Sequence, residues 1–352
     1  MMTEFKSRSS IPLEKFPLEV ILTNNQPQSI SARVTSRQDN MLLENPCLWD
    51  VCVQRMQIAT SEIPLFFPTV VGLTTNMSIT LNYFGNLFLQ FVLVTAEEAQ
   101  FGIFSIQNFL NHINDASILA FAALKAAFPG ASGTEAPRFF LNTTTQLISM
   151  YVQDVYLETN PNRIQIGLNY KLQQLLDLPY TQSFLIPAPL GYDYELSVQN
   201  YGVLLPAPPR TGFPFALSVL GGNWLAISQG FVSTDEWDNI KSIVFVSGTL
   251  PIVKKILPNI VSQAQNGNTN NSSLGILIDF ELQKSNPFEP RHIAQYAVTS
   301  EFKMISMIGT SPLYSFDVQA YYQTYDGVLR EVPIANNKNM SLDFLFRPKG
   351  EK

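Results

Sequence analysis

The only imidazoles and thiols in this 352-residue chain are His112, His292, Cys47 and Cys52. A nucleophilic triad needs a histidine beside a serine or cysteine, with a carboxylate to orient the ring. His112 lies between Asn111 and Ile113 in a stretch of helical periodicity, and His292 follows Pro290-Arg291 in a loop. The sequence reveals no partner carboxylate for either, so neither is assigned to catalysis. Cys47 and Cys52 are read as structural thiols that a strand would point to opposite faces. Zinc sites need closely spaced Cys/His sets, and two of each scattered along the chain supply none. The acidic pairs Glu97-Glu98 and Asp235-Glu236 lack the alternating oxygen ligands of a calcium loop and are read as solvated loop charges.

Phosphate-cradling loops are absent as well. Gly221-Gly222-Asn223 precedes a strand at Trp224, without the helix N-terminus that binds phosphate. Two distant carboxylates could hydrolyse a glycosidic bond, yet nothing singles out a pair. Tyrosine groups at Tyr192, Tyr194 and Tyr201, and at Tyr321, Tyr322 and Tyr325, could stack on a sugar or a subunit; packing on a sheet face is the simpler reading. No catalytic, cofactor-binding or metal-ligating residue is therefore assigned, no cofactor is expected, and the chain is read as a non-enzyme.

The elements point to β structure. Tyr314, Phe316, Val318, Ala320 and Tyr322 alternate with Ser315, Asp317 and Gln319, the pattern of a strand buried on one side only. Tyr325-Asp326-Gly327 supplies a turn, Val328–Val332 the returning arm, and Met340–Phe346 a last alternating strand. Shorter strand-like runs at Leu48–Ile58, Ser78–Leu81, Leu87–Thr95, Leu147–Val152, Ile164–Leu168, Tyr194–Gln199, Trp224–Ser228, Ile243–Ser247 and Leu274–Phe280 are bounded by Pro, Gly, Asn or Thr. Helix is expected in two places. Ser105–Phe128 would be split by an internal N-cap at Asp115, and Tyr170–Leu178 would be closed by Pro179. Pro187–Tyr192, Leu205–Pro214 and Asn266–Ser273 read as loops. A Ser/Thr-rich bend into Pro recurs at Ile58–Leu65, Val246–Ile252 and Ile308–Leu313, and turn chemistry explains it without a repeat.

Composition excludes several functions. Apolar residues make up 46% and charged residues 14%, below the roughly 25% charged of an ordinary globular chain. Such a surface repels its own copies little, which suits an assembly. A net charge of −6, with 22 scattered basic residues against 28 acidic ones, argues against a genome-coating role, and no specific nucleic acid is expected as a partner. Lys6, Arg8 and Lys15 form at most a weakly basic arm. Residues 1–20 lack the features of a secretion signal, and the apolar runs are too short to cross a membrane as helices. With two cysteines, a reducing compartment is the simple inference.

Three stretches carry a family resemblance. The first is Phe302-Lys-Met-Ile-Ser-Met-Ile-Gly-Thr-Ser-Pro-Leu313 with Phe316–Tyr322, Asp326-Gly327 and Leu345-Phe-Arg347. The second runs from Phe140-Leu-Asn-Thr-Thr-Thr-Gln-Leu147 through Ile164–Leu172 to Leu176-Asp-Leu-Pro179, and the third from Trp49–Ile58 into Ile63-Pro-Leu65. Together they cover roughly half the chain as hydrophobic patterns. They resemble the penton-like minor capsid proteins of eukaryotic DNA viruses related to Polinton (Maverick) elements, adintoviruses and virophages. The resemblance implies a jelly-roll subunit that forms a pentamer at icosahedral vertices beside a separate major capsid protein, with no catalytic residues to carry over.

The resulting expectation is a mainly β chain: an antiparallel jelly-roll sandwich with a small helical and Pro-rich elaboration in the middle, or two jelly rolls in tandem. Residues 1–15 would be a flexible arm, 16–98 and 223–348 the two parts of the jelly roll, and 99–222 the insertion. The expected partners are copies of itself, pentamer favoured, and a neighbouring major capsid protein, with a host receptor left open. The expected location is the virion, made and assembled inside the host cell and not secreted. A major capsid subunit and a carbohydrate- or receptor-binding β-sandwich are the rival functions.

Overall fold

Alternating apolar residues become strands across most of the chain. The structure is a computed structural model that describes residues 15–23, 33–37, 41–59, 64–142, 145, 147–183, 192–199, 224–230, 240–261, 269–281, 293–297, 303–325, 327–332 and 339–350. In chain order the first strands are β1 (Phe16–Thr23), β2 (Arg33–Arg37), β3 (Trp49–Ala59), β4 (Val70–Val71), β5 (Thr74–Tyr83) and β6 (Asn86–Leu93). Helices α1 (Ala96–Phe101) and α2 (Ile106–Ala127) come next, then β7 (Arg138–Leu141), β8 (Ile148–Gln153) and β9 (Gln165–Leu168). After α3 (Tyr170–Leu176) come β10 (Tyr180–Ser183), β11 (Tyr194–Leu196), β12 (Trp224–Ser228), β13 (Ile240–Ser247), β14 (Lys255–Val261) and β15 (Thr269–Glu281). The last are β16 (Ile293–Ala297), β17 (Ile305–Ser306), β18 (Ser315–Thr324), β19 (Leu329–Glu331) and β20 (Asn339–Pro348). The protein is mainly β, and nearly all its strand pairs are antiparallel, β14–β19 being parallel.

The chain divides into two compact units, one from residues 1–63, 240–283 and 290–352, the other from 64–239 and 284–289. In the first unit one sheet has the order β1-β20-β3-β16, with β17 also on β3. The other runs β13-β15-β14-β19-β18-β2, and a further β13–β18 pairing closes part of it into a circuit. The sheets meet through aromatic rings: Phe316 of β18 lies edge-on to Phe344 and Phe346 of β20, at 5.4 and 6.3 Å. Met340, Leu342, Phe344 and Phe346 are all buried, as their period-two spacing predicts.

Two readings of this unit change, and one gains a contact. Strand β18 is covered on both faces, since Asp317 and Tyr321 are buried alongside Phe316, Val318, Ala320 and Tyr322. Thr269–Ser273 belong to β15, where pairing with β14 from Lys255 to Val261 overrides their loop-like composition. Two of the three Pro-ended bends lie together, Ile308 N–H donating to Pro251 O at 2.8 Å. A Cβ on Gly309 would sit 2.6 Å from Pro251 Cβ, so the close approach requires glycine there.

In the second unit a sheet of order β10-β11-β9-β5-β4, with β6 on β5, accompanies a three-stranded sheet β12-β8-β7. Helix α2 packs against β5, β6 and β7. It is continuous where two helices were expected: Asp115 is exposed, while the buried stripe Ile106, Phe109, Leu110, Ile113, Ala120 and Leu124 runs past it. Burial of that stripe outweighs a capping preference at Asp115. Ser105 is the N-cap, its hydroxyl accepting from Asn108 N–H. Helix α3 ends at Leu176, with Asp177 left-handed beyond it. Among the described residues no helix is long and apolar enough to cross a membrane. The N-terminal arm before Lys15, most of the Pro187–Tyr192 segment and all of Leu205–Pro214 lie outside the described residues.

Candidate functional site

Of the groups first weighed for chemistry, His112, Glu97, Glu98, Cys47 and Cys52 lie among the described residues. His112 Nε2, on α2, lies 2.7 Å from Glu98 Oε2, so the histidine has a carboxylate partner that the sequence did not reveal. Glu98 is the third residue of α1 and closes a capping box. Thr95 Oγ1 accepts from Glu98 N–H at 3.1 Å, and Glu98 Oε2 accepts from Thr95 N–H at 2.9 Å. Glu97 and Glu98 thus open a helix, where loop charges were expected. The Thr-x-x-Glu spacing at Thr95 was the signal that could have found it. Burial would raise the Glu98 carboxyl, but hydrogen bonds from Thr95 and His112 outweigh it and hold the group below its usual 4.5. With Oε2 bonded to Thr95 and His112 at once, the pair ties α1 to α2.

Cys47 sits in a 3-10 turn before β3, donating from Sγ to Asn45 Oδ1 at 3.0 Å. Cys52 is buried within β3, and burial pushes its thiol up to about 11. Among the described residues no three His, Cys, Asp or Glu side chains gather as a metal site. His292, Asp235, Glu236, Tyr201 and Gly221–Asn223 lie outside the described residues.

The most heavily bonded acid is Asp317 on β18. Its Oδ1 accepts from Ser247 Oγ at 3.1 Å, Gly248 N–H at 2.9 Å, Thr249 N–H at 2.8 Å and Thr249 Oγ1 at 2.7 Å. Oδ2 accepts from Gln319 Nε2 at 2.8 Å, and Asp317 N–H donates back to Thr249 Oγ1. Burial would raise its pKa, but the bonds from Thr249, Gln319 and Ser247 hold it below 3.8. A carboxylate with this many donors fastens the turn after β13 to β18.

The two tyrosine groups separate. Tyr192, Tyr321 and Tyr322 are buried, whereas Tyr325 is exposed. Tyr194 instead joins Tyr180 and Tyr170, with ring centroids 4.9 and 6.3 Å away. Tyr170 and Tyr180 are 47% and 50% exposed, so this aromatic cluster faces solvent beside the outer strand β10. The opposite end of the same sheet also has no further strand among the described residues. Strand β6 pairs with β5 alone among the described strands, and its alternation puts Val92 inward while leaving Phe91 46% and Leu93 51% exposed. At the hairpin tip Phe84 is 65% exposed and left-handed, with φ of 49°. Residues 64–96, which include this hairpin, contain no Asp, Glu, Lys, Arg or His. An uncharged, apolar sheet edge is a surface for contact with protein.

Comparison with known proteins agrees in direction. A family model described as "Sputnik minor capsid protein V18/19" matches residues 90–348. The chain is 26% identical over 213 residues to structural protein V19 of Sputnik virophage, which spans 60% of this chain and 94% of that protein. Its fold is similar to a chain in the cryo-EM structure of the Sputnik virophage, with a TM-score of 0.70, 22% identity, and coverage of 96% of this chain and 98% of that one. It is also similar to the crystal structure of the mavirus penton protein, with a TM-score of 0.61, 14% identity, and coverage of 96% and 100%.

Proposed function

This chain belongs to the Sputnik minor capsid protein V18/19 family, a structural component of the virion, and from that premise we propose that it assembles as a closed, penton-like ring at capsid vertices. The observation that carries the reading is the family match over residues 90–348. Three further features support it. The likeness in fold to the mavirus penton protein extends over 96% of the chain. The low charge content lets copies approach with little repulsion. Two sheet ends without a further strand among the described residues, one aliphatic and phenyl, the other lined by tyrosines, supply contact surface.

In this reading the first unit is the jelly roll, built from strands near both ends of the chain, and the inserted unit carries contacts to neighbours. Five copies fill the ring and a major capsid protein surrounds it. Assembly takes place inside the host cell, where the two cysteines stay reduced, and no specific nucleic acid is engaged. Light scattering on the purified full chain, across protein and salt concentrations, tests this. A discrete species of five subunits is the expected result; a trimer would favour a major capsid building block. A monomer at every concentration, also unable to bind a capsid partner, would overturn the ring.

A further inference from the structure

Among the described residues the sheet that carries the hairpin has no further strand at either end, and its two ends differ in chemistry. Among the described strands, β6 closes one end and β10 the other, with β11, β9 and β5 between them. The β6 end presents aliphatic and phenyl groups: Phe91 and Leu93 along the strand, and Phe84 at the tip. The β10 end presents phenol rings, Tyr180 and Tyr170, with Tyr194 packed between them. An unpaired apolar edge left in water invites uncontrolled pairing, so a stable protein needs something to cover it.

We infer that the β6 edge of one copy docks on the β10 edge of the next, head to tail. The contact deepens the ring reading above and rests on it. Several observations make a second copy the occupant. A heterologous contact needs two different patches on one subunit, pointing in different directions, and opposite edges of one sheet supply them. Residues 64–96 carry no charge, so the β6 edge has nothing with which to select an acidic or basic partner. It meets instead a surface of tyrosines, the residue type that buries a large ring while keeping its hydroxyl hydrated at an interface rim.

The geometry also explains Phe84. A two-residue turn with both central residues at positive φ matches the twist of a hairpin, but Asn-Gly is the usual sequence there. Here Phe84 has φ of 49° and Gly85 φ of 80°. A phenyl ring held in the left-handed region, exposed to solvent, is a locally unfavourable choice that a contact at the tip would offset.

The test uses the full chain and two single variants, Phe91→Asp and Tyr180→Lys, followed by light scattering. Each buries a charge at one edge only and is expected to raise the concentration for half-assembly by about 30-fold or more. Both lie on exposed positions, and unchanged thermal unfolding of each variant, with Phe91→Leu and Tyr180→Phe as conservative controls that still assemble, separates a lost contact from a lost fold. An equimolar mixture of the two charged variants is the sharper measurement. Each retains one intact edge and the two introduced charges are opposite in sign, so the mixture should associate at concentrations where neither variant does alone. A wild-type ring indifferent to both variants removes this contact and leaves the ring. Loss of assembly in Phe91→Asp alone, with Tyr180→Lys behaving as wild type, points to a different covering surface and also overturns it. A wild type that is monomeric throughout removes the ring and the contact together.

Discussion

The two units hold their buried polar groups by different means. In the first, strands distant in sequence are fastened by an ionised acid, Asp317, whose partners Ser247, Gly248 and Thr249 lie about 70 residues earlier. In the second, neutral amides make several of these ties, alongside an ion pair of Arg163 with the buried Glu195 at 2.7 Å. Asn114 on α2 donates from Nδ2 to Phe139 O at 3.0 Å and accepts from Phe139 N–H at 2.6 Å. Gln153 accepts from Thr134 and Glu135 N–H, and Gln229 accepts from Ile148 N–H and donates to Leu176 O. A carboxylate forms the stronger hydrogen bonds but depends on pH; an amide does not titrate. The difference teaches that a single titrating acid fastens the turn after β13 in the first unit, whereas the tie of α2 to β7 in the second does not titrate.

The largest expected effect breaks the ionic tie. Asp317→Ala leaves two backbone N–H groups and two hydroxyls without their acceptor and should cost the first unit about 3–5 kcal/mol. Cys52 supplies the readout. Its thiol is buried and its pKa lies near 11, so in the native wild type it should resist alkylation at neutral pH. The variant should label Cys52 several hundred-fold faster, because opening of the unit exposes it. Labelling at the wild-type rate would show that Asp317 is not what fastens the turn to β18.

The matching change in the second unit is smaller. Asn114→Ala removes a neutral two-bond tie between α2 and β7 and should cost about 2–3 kcal/mol, read as faster hydrogen exchange in α2. If exchange in β18 accelerates as much as in α2, the assignment of the two ties to separate units is wrong.

Acidification should distinguish the units without mutation. The folded Asp317 carboxyl lies below the ordinary 3.8 of the unfolded chain, so its contribution is fully present above that value. It is lost as pH falls from 3.8 toward the depressed folded pKa. Hydrogen exchange through this window should show β18 and the turn at Ser247–Leu250 losing protection before α2. The Glu98 carboxyl is also held below its usual 4.5, so its cap on α1 and its tie to His112 of α2 weaken in the same direction. The bonds of Asn114 and Ser117 that hold α2 do not titrate. Loss of α2 protection ahead of β18 would reverse the comparison.

The same contrast explains what could be read from the sequence. The alternation at Met340–Phe346 and the main stripe of α2 are local patterns that the structure keeps. At Tyr314–Tyr322 it keeps the strand from Ser315 but not the one-sided burial, Tyr314 being exposed. Asp317 shares that alternation yet is buried, because the groups that satisfy it come from a turn remote in sequence. Tyr192 was grouped with Tyr194 by proximity, but it packs over Gly167, where a Cβ would collide with its ring. Pairing partners and covering segments are tertiary facts, and no periodicity encodes them. The capping box at Thr95 and the uncharged run of residues 64–96 were both present in plain sight; they needed a fold to give them meaning.

The smallest expected effect lies at the tip of the β5–β6 hairpin and bears on why the second unit tolerates a poor turn residue. Phe84→Asn replaces a ring in the left-handed region by a residue that adopts it readily, and creates the Asn-Gly pair favoured in this turn. Hydrogen bonding from Gly85 N–H to Asn82 Oδ1, at 3.0 Å, is untouched by the change. The isolated subunit should therefore gain about 0.5–1 kcal/mol, measured by urea unfolding below the assembly concentration. Assembly should move the other way, because the exchanged ring no longer reaches a neighbour. Opposite signs in the two measurements would mark Phe84 as kept for contact at the expense of the fold. A variant that gains in both would mean that the strained turn serves neither and that the apolar edge ends before the tip.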